Sequence, residues 1–308
     1  MEPRLPHPIP YQGSKRRLAG RILPVAGNGV FGTLYEPFAG SAAITLAASA
    51  RGLARRYLIG DSLTPLVSIW SEIINDPAGL ADAYQSLWEA QLADGGREHF
   101  NHVRTEFNEE GGAARLLYLL ARCVKNAPRF SRFGFSQSAD HRRKGMHPRK
   151  MSNEITGAHA LLARQAETFA GDAEDCLRAA GPQDLIYMDP PWQGTTEGAD
   201  KRYHHGLERS RLEALVDDLN QRRVPWVLSY DGRSGDRTYG PPLPGELWGA
   251  RHDLHAGRSS QSTLAGREEE TVESLYVSAL LTPAESPTSR AAQSSPFTRG
   301  TQPLVGHV

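Results

Sequence analysis

The stretch LIYMDPPWQGT, residues 185–195, decides the fold. Leu185, Ile186, Tyr187 and Met188 are apolar or aromatic in succession, which predicts a short strand buried on both faces. Asp189-Pro190-Pro191-Trp192 cannot continue it. Each proline fixes φ and lacks a backbone donor, so the chain must leave the sheet in a stiff, extended turn. An acid and an aromatic ring are thereby held at the carboxyl edge of a sheet, where open α/β folds bind ligands. Taken alone, the same tetrapeptide also suits a proline-stiffened loop with a helix-capping aspartate. The rest of the chain has to discriminate.

Working outward, TLYE at 33–36 predicts another strand, broken by PFAGSAA and followed by an Ala-rich helix over 42–51. RRYLIGD at 55–61 predicts a second strand ending on an acid, and TPLVSIWSEII at 64–74 a helix with Pro65 in its first turn, where proline is tolerated. Strand, glycine loop, helix, strand and acid in that order begin a Rossmann-like half. After the central stretch, LERSRLEALVDDLNQRR predicts an amphipathic helix and VPWVLSYD at 224–231 a buried strand. GELWGARHDLH and EETVESLYVSAL predict paired final strands. The expected class is α/β, with a mixed, mostly parallel sheet.

Residues 78–124 carry helical apolar spacing, whereas 125–150 lose periodicity and interleave Arg and Lys with Phe130, Phe133 and Phe135. The chain is therefore expected to divide into a catalytic domain at 1–75 and 151–281, an inserted helical lobe with a basic loop at 76–150, and a Pro/Ser/Thr-rich disordered tail at 282–308. The 308 residues have a formal net charge of zero, yet from Arg122 to Lys150 the only acid is Asp140. A neutral chain with one concentrated basic segment fits a local phosphate-contacting surface, although 140–150 alone also suits a solvated loop. No run approaches a membrane span, and MEPRLPHPIPYQGSK has no apolar core of a signal peptide. Two cysteines, Cys123 and Cys176, give neither metal spacing nor a disulfide framework. A cytoplasmic protein without a membrane partner or a metal is the expectation.

Three features point to one ligand chemistry. YEPFAGSAA, 35–43, is a small-residue loop opening a helix, read equally as a structural turn or as a close approach to a ligand at free N–H donors. It is neither GxGxxG nor a phosphate-binding loop ending in GK[ST]. Asp61 stands at a strand end where an acid bonds ribose hydroxyls. Lys15, just after a Gly-Ser turn, suits a ligand carboxylate or a plain surface role. Together they describe an amino-acid nucleoside, and S-adenosylmethionine has those parts. A rigid Asp-Pro-Pro turn aims the Asp189 carboxylate and the Pro190 carbonyl at one point, which suits the two donors of an exocyclic amine. Trp192 offers a face for a base turned out of its helix. A cytosine-C5 methylase would need a nucleophilic cysteine, usually after proline, and neither Cys123 nor Cys176 is so placed.

In ordered motifs from about Ile9 to Leu280 the sequence resembles the Dam-like, alpha-group family of DNA N6-adenine methyltransferases. YQGSKRRL resembles the family's W-x-GGK, YEPFAGSAAI its V-E-P-F-x-G-x-G-S, and LIGDSLTPLV its D-x-N-x-x-L-[IV]. HVRTEFN at 102–108 resembles F-R-E-x-F-N. LYLLARCVKNAPRFSRFGFSQ resembles the target-recognition segment, DPPW followed by KRYHHGL resembles DPPY with its following loop, and VPWVLSYDG resembles P-V-x-x-S-N-H-D. The resemblance implies a Rossmann-like S-adenosylmethionine-dependent methyltransferase fold acting on double-stranded DNA by base flipping and direct transfer. It implies that Tyr11 and Lys15 hold the methionine end, that Glu36, Phe38 and Gly40 form the pocket floor, and that Asp61 takes the ribose. Asp172, in GDAEDCL, would face the adenine ring. Asp189, Pro190, Pro191 and Trp192 would be catalytic, Asp189 also bordering the cofactor, and Tyr203 would close over the target nucleotide. Lys125, Asn126, Arg129 and Arg132 would reach DNA, with Arg129 suited to a guanine edge.

The chain also departs from the pattern. Ser14 replaces the second glycine of GGK, Ser41-Ala42 replaces Gly-Ser, Leu63 replaces asparagine, and Ala127 and Ser131 replace glycine and asparagine in the recognition segment. A GATC site is therefore not assumed. N4-cytosine methylation, RNA adenine methylation and a catalytically inactive DNA-binding protein are the alternatives; an asparagine in place of Asp189 would have favoured a glutamine methylase. A monomer is expected, with a cognate restriction or defence component as a candidate partner.

Overall fold

The computed structural model describes residues 4–191, 207–235, 237–258 and 270–281. Trp192, Tyr203 and the expected tail at 282–308 lie outside the described residues. The chain opens with a turn at Lys15–Arg17 and helix α1 (Ala19–Ile22), then alternates β1 (Phe31–Glu36), α2 (Ala43–Ala50), β2 (Ala54–Asp61) and α3 (Thr64–Asn75). Helices α4 (Pro77–Asp94), α5 (Gly96–Glu110) and α6 (Ala113–Arg122) follow. A short hairpin, β3 (Phe130–Ser131) and β4 (Gly134–Phe135), precedes α7 (Pro148–Leu162). The second half comprises β5 (Ala166–Ala170), α8 (Ala173–Cys176), β6 (Leu185–Met188), α9 (Arg209–Gln221), β7 (Trp226–Ser234), β8 (Arg237–Tyr239), β9 (Ala250–Arg258) and β10 (Glu270–Val277).

The main sheet has eight strands in the order β5-β2-β1-β6-β7-β10-β9, with β8 on β7. Strands β5, β2, β1, β6 and β7 run parallel, and β10 and β9 close the far side antiparallel. β6 lies in the middle, which is why all four of its residues are buried. Chain order reverses between β1 and β6, a switch point that opens a crevice at the carboxyl ends of the strands.

The layers close over this sheet by amphipathic burial. α9 turns Leu212, Leu215, Val216 and Leu219 inward, and each such side chain contributes roughly 1.5–3 kcal/mol of burial. On the other face, Ile44 of α2, Trp70 of α3, Leu117 of α6 and Met151 of α7 belong to one continuous apolar cluster that also takes in Tyr84 and Phe100. The inserted helices thus share their core with the sheet layer. α7 begins at Pro148, capped by the His147 side chain, so it crosses the boundary drawn at 150. Proline at the first helical position explains why.

The segment 125–150 also contains structure that its lack of periodicity concealed. Asn108, the last residue of HVRTEFN, receives the Phe135 amide on Oδ1 at 2.7 Å and donates Nδ2 to the Phe135 carbonyl at 3.1 Å. One side chain therefore acts as an extra strand for the hairpin. Gly134, at φ +99°, makes this possible, since a Cβ there would lie 2.4 Å from Asn108 Oδ1.

Candidate active site

The carboxyl ends of β1, β2, β5 and β6 place the loop 37–42, Asp61, Asp172 and Asp189 along one sheet edge. Gly40, at φ +48°, shapes the first loop. Its amide donates to Asp61 Oδ2 at 3.0 Å, and its carbonyl accepts Trp70 Nε1 at 3.0 Å. Asp61 Oδ1 also receives the Leu63 amide at 2.9 Å. Burial raises the Asp61 carboxyl above the ordinary range, and these amides oppose it. Phe38 packs beside the loop against the α9 side of the core.

Glu36 is 3% exposed, and its Oε2 accepts the Thr45 amide of α2 at 2.8 Å. Burial pushes its carboxyl up to about 7, against the pull of the α2 hydrogen bonds. Asp172 is half exposed instead. It caps α8 through the Glu174 amide and pairs with Arg211 of α9 at 3.1 Å.

An N-terminal turn straps this edge together. The Tyr11 ring lies on Gly40, 3.3 Å from where a Cβ would stand. Ser41 Oγ donates to Ser14 Oγ at 2.8 Å. Ser14, which replaces the second glycine of GGK, and Ser41 are thus partners of one another. Lys15, expected to await a ligand carboxylate, is buried and engaged by protein: Nζ lies 2.9 Å from Asp189 Oδ1 and 3.4 Å from Glu273 Oε2. Burial raises Asp189 to about 6, Lys15 pulls it down, and Glu273 pushes it up. Pro190 is buried and Pro191 half-buried behind it.

Sequence reasoning missed Glu273. The available signal was a lone acid in TVESLYV, a strand that runs between β7 and β9. It also missed Trp70, whose indole reads as core until its donor is traced to Gly40.

The expected DNA-contacting residues occupy the lobe. Lys125, Arg129 and Arg132 are exposed, and Arg132 stacks over Phe133, which is 73% exposed at the hairpin tip. Asn126 is engaged differently: its Nδ2 donates to the Leu120 carbonyl at the end of α6, and its Oδ1 accepts Arg143. Lys125 and Asn126 are both left-handed, and the Asn126 carbonyl accepts the Gln12 amide at 3.0 Å. Buried Asp140 binds Arg142 and Arg143, which hold its carboxyl well below the usual range. Beside them a cavity of about 380 Å³ is lined by Arg97, Arg122, His141, Arg143 and Lys144. Cys123 and Cys176 are buried free thiols pushed up to about 12, unsuited to nucleophilic attack. No helix among the described residues is long and apolar enough to cross a membrane.

A mixed, mostly parallel sheet with a switch point, an acid-rich carboxyl edge and an Asp-Pro-Pro turn fits a Rossmann-like methyltransferase fold. Residues 11–243 match the family model of D12 class N6 adenine-specific DNA methyltransferases, and the chain belongs to that family. It is 23% identical over 210 residues to the DNA N-6-adenine-methyltransferase of Escherichia phage P1, covering 65% of this chain and 26% of that protein. It is 25% identical over 207 residues to the Retron Ec67 DNA adenine methylase of Escherichia coli, covering 66% of this chain and 65% of that one. The chain thus spans about a quarter of the first relative and just under two thirds of the second.

Proposed function

We propose that the chain methylates the N6 amino group of adenine in double-stranded DNA, with S-adenosylmethionine as donor. The observation that carries this reading is Asp189, fixed by two prolines at the end of the central strand and neighbouring the acid-rich edge. The edge chemistry fits the donor. Asp61, Asp172, Glu36 and Asp189 make it rich in acceptors, as ribose hydroxyls, an adenine amine and a cationic amino acid require. The donor supplies an electrophilic sulfonium methyl, its thioether leaving with the bonding electron pair.

The residues then divide the work. Asp61 takes the ribose hydroxyls with lone pairs left over from the Gly40 and Leu63 amides. Tyr11, Phe38 and Gly40 shape the pocket for the methionine end. Because Lys15 is held by carboxylates, it acts on Asp189 more directly than on a ligand carboxylate. Asp189 accepts an N–H of the target amine and orients its lone pair. Methyl transfer from the donor would leave the amine with a proton to shed, and the Asp189 carboxyl, near 6, would be a competent acceptor for it. The base must leave the duplex to reach this edge. Residues 76–150 form the recognition lobe: Arg129, Arg132 and Phe133 meet the grooves, and the basic cavity beside Arg143 suits a backbone phosphate.

Nucleoside mass spectrometry of DNA from a host lacking adenine and N4-cytosine methylation, expressing this chain, tests the reading. N6-methyladenine is expected, and Asp189→Ala should abolish it while DNA affinity persists. N4-methylcytosine would overturn the substrate, and activity surviving Asp189→Ala would overturn the mechanism.

A further inference from the structure

Glu273 sits in β10, an inner strand, where a charged side chain is costly unless it serves something. Two irregularities bracket it. β10 slips register against β9 between Thr271 and Val272, and against β7 between Glu273 and Ser274. Bulges of this kind re-aim side chains next to active sites. The aim here is Lys15: Glu273 Oε2 is buried 3.4 Å from Nζ and makes no hydrogen bond among the described residues. Asp189 Oδ1 holds the same ammonium at 2.9 Å, and the Gly13 carbonyl stands 3.5 Å from it. One cation thus lies between two carboxylates, and the charge of Asp189 in turn raises Glu36 and Tyr187.

This arrangement poses a problem for the reaction. An ammonium on Oδ1 takes one of the acceptor sites of this carboxylate and draws on the charge left for a target amine. Glu273 is the near alternative. We propose that Glu273 is a positioning residue for methyl transfer: it takes the Lys15 ammonium as Asp189 turns to the target amine, so that Lys15 exchanges between the two carboxylates. The inference rests on the function proposed above. Lys15 needs to move only about the difference between a hydrogen bond and a looser ion pair. Glu273 never touches the substrate, and its charge keeps Asp189 from being locked into a permanent pair.

The test compares the full chain with Glu273→Gln, which keeps the shape and removes the charge, and Glu273→Asp, which keeps the charge. Steady-state methylation of duplex DNA is measured across pH, with kcat and KM separated and DNA affinity read by anisotropy. Glu273→Gln is expected to lower kcat by roughly tenfold or more, with KM and DNA affinity changed by less than about threefold. Its acid limb should move to lower pH, because a like charge that raises Asp189 is gone. Glu273→Asp should restore part of kcat. Wild-type kcat and an unmoved acid limb in Glu273→Gln would overturn the proposal while leaving the methyltransferase reading intact. A kcat loss with an unmoved limb, no recovery in Glu273→Asp and a lowered melting temperature would reduce Glu273 to a structural residue. A wild-type chain that leaves no methylated base would overturn the reading itself.

Discussion

Replacing Glu36 with glutamine should stabilise the protein at alkaline pH far more than at acid pH. Glu36 is buried under α2, and its carboxyl is raised from 4.5 to about 7, burial being the largest cause. The unfolded chain releases this proton at about 4.5, whereas the folded chain keeps it until about 7. Between those values the folded state binds more protons, so stability falls as pH rises through the window. At about 1.4 kcal/mol per pKa unit, the cost is about 1 kcal/mol at about pH 5 and reaches about 3 kcal/mol by about pH 8. Glutamine never ionises, and its carbonyl can still accept the Thr45 amide. Urea unfolding of both proteins at the two pH values reads the effect directly. Relative to wild type, Glu36→Gln should gain about 2 kcal/mol between the acid and the alkaline measurement. An equal gap at both pH values would refute the claim that burial keeps this carboxyl protonated.

Other perturbations reach other parts of the molecule. Gly134→Ala should cost about 2–4 kcal/mol locally, from a strained positive φ and two lost Asn108 hydrogen bonds; hydrogen exchange should show the hairpin opening and anisotropy a weakened DNA complex, while donor binding measured by calorimetry stays unchanged. Lys15→Met should shift the acid limb of the pH–rate profile upward, because Asp189 loses the ammonium that pulls its carboxyl down; a limb that stayed in place would contradict the pairing. Ser14→Ala and Ser41→Ala, combined in a double-mutant cycle on melting curves, should reveal a coupling of about 0.5–1.5 kcal/mol, and strict additivity would show the two hydroxyls to be independent.

The frame of the fold was legible because its signals are local. Leu185–Met188 ahead of two prolines, and the acid closing RRYLIGD, announce strand ends by composition alone, and β6 and β2 stop there. The hairpin at 130–135 was not legible, because its partner is a side chain, Asn108, over twenty residues upstream. Glu273 was invisible for a similar reason. Its meaning comes from bulges and from Lys15 at the opposite end of the chain, and strand periodicity carries neither. Lys15 itself was identified as a site residue, but its partners in the structure are carboxylates of the protein. Ser14 and Ser41 stand far apart in the sequence, and only tertiary contact made them a pair.

The bond from the Gln12 amide to the Asn126 carbonyl sets a seam for anyone wishing to retarget this protein. The turn at 123–126 is welded on one side to α6 and on the other to the strap that carries Lys15. A transplanted reading head that included this turn would drag the lysine with it and misalign the chemistry, whatever sequence it recognised. If the lobe reads DNA as proposed, an exchangeable cassette would start after Asn126 and run through the hairpin, ending where the Asp140 cluster anchors the loop again.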